Sequence, residues 1–97
     1  MNIMEAVRSR DTAGKVARPS RAEVETLCVL HVVDRGHTTA AAVTEGMGLA
    51  RELTPAIERA IETIVALGHL AVAEGGVSLT GPGREWLLRR LAELEAQ

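Results

Sequence analysis

The stretch Ile61-Glu62-Thr63-Ile64-Val65-Ala66-Leu67-Gly68-His69-Leu70 runs into Ala71-Val72-Ala73-Glu74-Gly75-Gly76-Val77-Ser78-Leu79-Thr80. Gly81-Pro82-Gly83-Arg84-Glu85-Trp86-Leu87-Leu88 follows directly. The first segment carries apolar residues at helical spacing and stops at Gly68. Leu70–Glu74 and Val77–Thr80 are short, apolar and rich in strand formers. Gly75-Gly76 between them suits a two-residue hairpin, where positive φ is needed. Thr80 is a good N-cap and Pro82 fits the first turn of the helix it opens. A helix, a tight hairpin and a second helix therefore follow one another within about 35 residues of this chain.

Upstream the same reasoning gives three helices in all before the hairpin. Ser20-Arg21-Ala22-Glu23 has the spacing of a capping box, in which Ser20 and Glu23 satisfy each other's end amides. The helix it opens runs from Arg21 to about Asp34, with Val24, Leu27, Cys28, His31 and Val32 as its inner face and Gly36 as its stop. His37-Thr38 has the character of a very short strand. Thr38 or Thr39 caps a second helix, Ala40–Glu45, whose inward residues are Ala41, Val43 and Ala42. Gly46 and Gly48 break it, and Met47 and Leu49 fill gaps between helices. Thr54 caps a third helix, Pro55 to about Leu67, packed through Ile57, Ala60, Ile61, Ile64 and Leu67. The last helix has a broad apolar side of Trp86, Leu87, Leu88, Leu91 and Leu94.

The fold class expected from this order is mainly α with a small β-hairpin. Residues 20–97 form the domain, and residues 1–19 form a basic N-terminal arm with a short helical stretch at Ile3–Arg8. The net charge of −2 conceals an asymmetry. Arg8, Arg10, Lys15, Arg18 and Arg21 outnumber Glu5 and Asp11 in the first 22 residues, whereas the remainder is acidic. With one Trp and neither Phe nor Tyr, the core must be aliphatic, and base stacking of the kind used by single-strand readers has no residues to work with. No apolar run is long enough to span a membrane.

The order resembles winged helix-turn-helix proteins, particularly MarR-like and PadR-like bacterial regulators. Thr39-Ala40-Ala41-Ala42-Val43 with Met47-Gly48-Leu49 is similar to the family's second helix and turn. Ala66-Leu67-Gly68-His69-Leu70 with Val77-Ser78-Leu79-Thr80-Gly81-Pro82-Gly83-Arg84-Glu85 is similar to the end of its recognition helix, its wing and the Leu-Thr-x-x-Gly start of the next helix. The resemblance covers roughly residues 20–92 and implies that Pro55–Leu67 is a recognition helix presenting Ala56, Arg59, Thr63 and Ala66, flanked by Glu58 and Glu62. It further implies double-stranded DNA as partner. Arg51, Thr54, Pro55, Arg59 and Thr63 would form the contact surface, with Arg51 on phosphate and Arg59 on phosphate or guanine.

Other readings of the same residues stay open. Arg59, next to Glu58 and at helical spacing from Glu62, also suits a solvated ion pair worth about 0–1 kcal/mol. The arm either tracks a neighbouring phosphate run or is a plain tail. Trp86, Leu87, Leu91 and Leu94 either cover this domain's own core or join the same helix of a second copy across a two-fold, flanked by Arg89 and Arg90. Cys28 reads as a buried structural thiol and implies a reducing, cytoplasmic setting. His31, His37 and His69 have no metal-site spacing; His31 is expected to pack or cap, and His69 to close the third helix. No nucleophile stands beside a base and no phosphate loop follows a strand, so neither an enzyme nor a cofactor is expected. The reading is a small homodimeric DNA-binding regulator. The alternative is a winged-helix protein-interaction module that does not touch DNA.

Overall fold

A computed structural model describes residues 18–96. Its elements are α1 (Arg21–Asp34), α2 (Ala40–Gly46), a 3₁₀ turn (Arg51–Leu53), α3 (Thr54–Ala66), β1 (Leu70–Ala73), β2 (Gly76–Leu79) and α4 (Gly81–Glu95). The two strands pair antiparallel. The mainly helical, hairpin-bearing architecture expected from the sequence is present. The arm, including the expected helix at Ile3–Arg8, lies outside the described residues except at Arg18 and Pro19.

The core gathers around α1, which packs against every other helix and against β2. Val29 and Leu30 are fully inaccessible, and Leu27, Val32 and Val33 are buried beside them. Val43 of α2, Ile57, Ile61 and Ile64 of α3, Leu70, Val77 and Leu87 close around them. The expected inner face of α1 is thus corrected. Val24, Cys28 and His31 are exposed, and Val29, Leu30 and Val33 take their place. Residues 27–33 are apolar almost all the way round, so two rotational settings of the helix satisfy its pattern equally. Contact with four partners selects the one that buries the branched aliphatics and leaves the thiol and imidazole in water.

Smaller corrections follow from local geometry. Ala41 is exposed, and the next turn instead buries Thr44, whose hydroxyl donates to the Ala40 carbonyl at 2.7 Å. Leu67 is 61% exposed because α3 ends at Ala66 and the chain turns away before Leu67 reaches the core. Only half of the capping box forms. The Glu23 amide donates to Ser20 Oγ at 3.1 Å, while the Glu23 carboxylate faces α4 rather than its own helix end. His37-Thr38 is not a strand, yet the Thr38 carbonyl accepts from the Val77 amide at 2.9 Å, tying the hairpin to the chain between α1 and α2. Of the two candidate caps, Thr39 serves, accepting from the Ala42 amide.

The hairpin turn lies one residue earlier than expected. Ala73 pairs with Gly76, so Glu74-Gly75 is the loop. Gly75 has φ +89° and no non-glycine residue among those described has positive φ, which is the sign pattern of a type II turn with glycine at its third position. Gly76 is still required, for a different reason. Its φ is +142°, and a Cβ there would overlap the Thr38 carbonyl. The close approach, rather than the turn, fixes the second glycine.

The Leu79–Gly83 segment locks α4 onto the hairpin. Thr80 Oγ1 accepts from the Gly83 amide at 2.9 Å and donates to the Gly68 carbonyl at 2.6 Å, and its amide donates to the His69 carbonyl. One hydroxyl therefore caps α4 and ties it to the end of α3. Thr80→Ala is expected to cost about 1–2 kcal/mol in chemical denaturation, and Thr80→Ser to recover most of it. Equal stabilities for the Ala and Ser variants would show that the hydroxyl is not what holds the joint.

Candidate nucleic-acid interface

α2 and α3 follow one another as two helices joined through the 3₁₀ turn. Thr54 belongs to the helix it was expected to cap. The 3₁₀ turn runs straight into α3, Leu53 occupies the cap position in helical conformation, and no side chain bonds the first amides. Pro55 in the first turn has no amide to satisfy. Arg51 lies just ahead, exposed. It lines with Thr54, Thr44, Glu45, Ala41 and Leu49 a cleft of about 370 Å³ where α2 meets the start of α3.

Along α3 the residues expected to face solvent do so. Ala56, Arg59, Thr63 and Ala66 are exposed, as are Glu58 and Glu62, because Ile57, Ile61 and Ile64 fill the opposite stripe. Arg59 makes no ion pair or side-chain hydrogen bond with a described residue, so its guanidinium is available to an outside partner. Thr63 is less available: its hydroxyl donates back to the Arg59 carbonyl at 3.2 Å, leaving its oxygen lone pairs outward.

The hairpin stands beside this face, and it carries no cation: residues 70–83 contain neither Lys nor Arg, and the exposed Glu74 opens its turn. Between α3 and the hairpin is a groove of about 510 Å³. Ile61 forms its floor, Val72 (74% exposed) and Ala73 its far wall, and Glu58 and Glu62 its near rim. Over the whole surface from α2 to the hairpin, Arg51 and Arg59 oppose Glu45, Glu52, Glu58, Glu62 and Glu74.

Of the residues expected to line either this domain's own core or a two-fold seam on α4, several are drawn into the domain's own core. Leu87 is 2% exposed and belongs to this domain's own core. Leu91 and Leu94 are half-buried against that core, and Trp86 stacks on His69 with ring centroids 4.9 Å apart. Leu88, 58% exposed, is what α4 turns outward. Arg90 is likewise turned inward, 8% exposed. Its Nε and Nη2 donate to the two Glu23 carboxylate oxygens at 2.9 and 3.0 Å, and Nη1 donates to Glu93 at 3.3 Å. These bonds, the Glu23 pair first, raise the guanidinium pKa above its ordinary value against the opposing effect of burial. The bidentate clasp joins the start of α1 to the middle of α4. Its signal was in the spacing: Gly83, Leu87, Arg90 and Leu94 recur at helical intervals, so Arg90 shares the inward stripe.

Among the described residues no cluster of His, Cys, Asp and Glu could hold a metal ion, and no helix is long and apolar enough to cross a membrane. Comparison with protein-family models and with curated proteins gave no match.

Proposed function

We propose that the chain is a cytoplasmic DNA-binding transcriptional regulator of winged helix-turn-helix type. In this reading α3 enters the major groove of duplex DNA, and two copies read paired half-sites. The observation that carries it is the solvent face of α3, with Arg59, unpaired among the described residues, at its centre, Arg51 at its leading end and a hairpin alongside. Arg51 and the first turn of α3 meet phosphate, where a helix N-terminus adds its partial positive charge. Arg59 reaches a base edge, and Thr63 accepts from a donor there. The thin positive charge makes this a weak reader per domain, which is why pairing matters to the reading.

A salt-titrated binding assay on mixed duplex DNA tests this. Retention is expected at about 50 mM salt, falling steeply as salt rises. Arg51→Ala is expected to lower the salt slope by about one, and Arg59→Ala to cost about 1–3 kcal/mol where it meets guanine. No retention at the lowest salt would overturn the reading. It would leave the module as a protein-docking winged helix, a second reading favoured by the acidic rim of the α3–hairpin groove.

A further inference from the structure

The groove between α3 and the hairpin is lined with apolar groups and fringed by Glu58 and Glu62, with Glu74 at the tip of the hairpin and no Lys or Arg among its lining residues. Such a surface repels phosphate and suits an extended segment rich in basic and small side chains. The chain carries one. Val7-Arg8-Ser9-Arg10-Asp11-Thr12-Ala13-Gly14-Lys15-Val16-Ala17 has three basic groups against one acid, together with the apolar Val7, Ala13, Val16 and Ala17. We propose that residues 7–17 dock in cis into the α3–hairpin groove, setting Arg8, Arg10 and Lys15 against Glu58, Glu62 and Glu74.

Reach and starting point agree with this. Arg18 lines a cleft with Thr63 and Leu67, so the segment begins beside the C-terminal half of α3. Eleven extended residues span up to about 36 Å, and the 13-residue α3 is only about 20 Å long. At 100° per residue, the path from the Thr63–Leu67 side to the Glu58–Glu62 side crosses the ridge of Arg59 and Ala66. Exposed ion pairs of this kind are individually weak, about 0–1 kcal/mol each. Tethering compensates by holding the segment at an effective concentration on the order of millimolar. The docked segment covers the solvent face of α3, so duplex DNA and the segment exclude one another there. That consequence, unlike the docking itself, rests on the DNA-binding reading.

The test uses the full chain without DNA, so its failure is separable from a failure of DNA binding. A nitroxide is attached at Ser9→Cys in a Cys28→Ser background, since the exposed native thiol would also react. Amide broadening is read by NMR. Ala73, Gly75, Gly76, Glu58 and Glu62 are expected to broaden strongly. The effect should fall several-fold with Arg8→Gln/Arg10→Gln/Lys15→Gln, with Glu58→Gln/Glu62→Gln, and at about 0.5 M salt, where screening has shortened to roughly 4 Å. The altered side chains of α3 are exposed, so an unchanged amide spectrum elsewhere verifies the fold. Three results would overturn the proposal: groove amides no broader than those on the far side of α1, broadening indifferent to the charge changes, or broadening only between separate labelled and unlabelled molecules.

Discussion

Leu30→Ala is expected to destabilise the protein by about 2–5 kcal/mol, a larger loss than any other single truncation in this core. Leu30 is fully inaccessible at the centre of α1, where α2, α3, α4 and β2 converge. The cavity left by three lost carbons would open inside a core drawn from several different elements, which cannot all move in together. For a domain of this size, whose total stability is on the order of 5–10 kcal/mol, such a loss is a large part of the folded margin. Cys28→Ala and His31→Ala, two residues before and one after, are expected to stay within about 0.5 kcal/mol of the parent. Urea denaturation of the three variants measures the rotational setting of α1 directly. A severe loss at Cys28 or His31 with a mild one at Leu30 would mean that α1 faces the core with its other side.

The second large effect is expected at Gly83. This residue is buried in the first turn of α4, where a Cβ would overlap the His69 carbonyl carbon and oxygen. The obstacle is backbone, held in place by the Thr80 amide, so it cannot rotate aside. Gly83→Ala is expected to cost about 3 kcal/mol or to push α4 off the hairpin, with broadening of the Trp86 and His69 resonances as their stack loosens. At Gly81, two residues earlier, a Cβ would meet nothing within 4 Å, and the backbone geometry is ordinary. Gly81→Ala is therefore expected to be neutral or to stabilise by up to about 1 kcal/mol, through the unfolded chain. Comparable melting temperatures for the two variants would contradict the packing of α4 against His69.

Much of the fold was legible because its signals are local. Ser20 and Thr80 cap the helices they were expected to cap, and the strands lie where the β-branched residues and glycines place them. The solvent face of α3 was legible for a related reason: Ile57, Ile61 and Ile64 repeat with one clear phase, so Arg59 and Thr63 can only point away. Failures occurred where local signals were equally good for two answers. Thr54-Pro55 looks like a cap and first turn, but the preceding 3₁₀ turn supplies the helical start. Gly75-Gly76 looks like a symmetric loop, but the Thr38 carbonyl claims Gly76 and moves the turn to Glu74-Gly75.

The sequence by itself determined the order of elements, the aliphatic character of the core and the scarcity of positive charge on the helix-turn-helix, since each depends on residue type and on neighbours within one helical turn. Only the tertiary structure decided which side of α1 is inside, that Leu87 serves its own domain, and that Arg90 closes on Glu23, 67 positions away in the chain. Those outcomes depend on which surfaces meet. An ambiguous apolar helix and a long flexible cation are resolved by partners distant in sequence, and no short-range pattern encodes the partner's position.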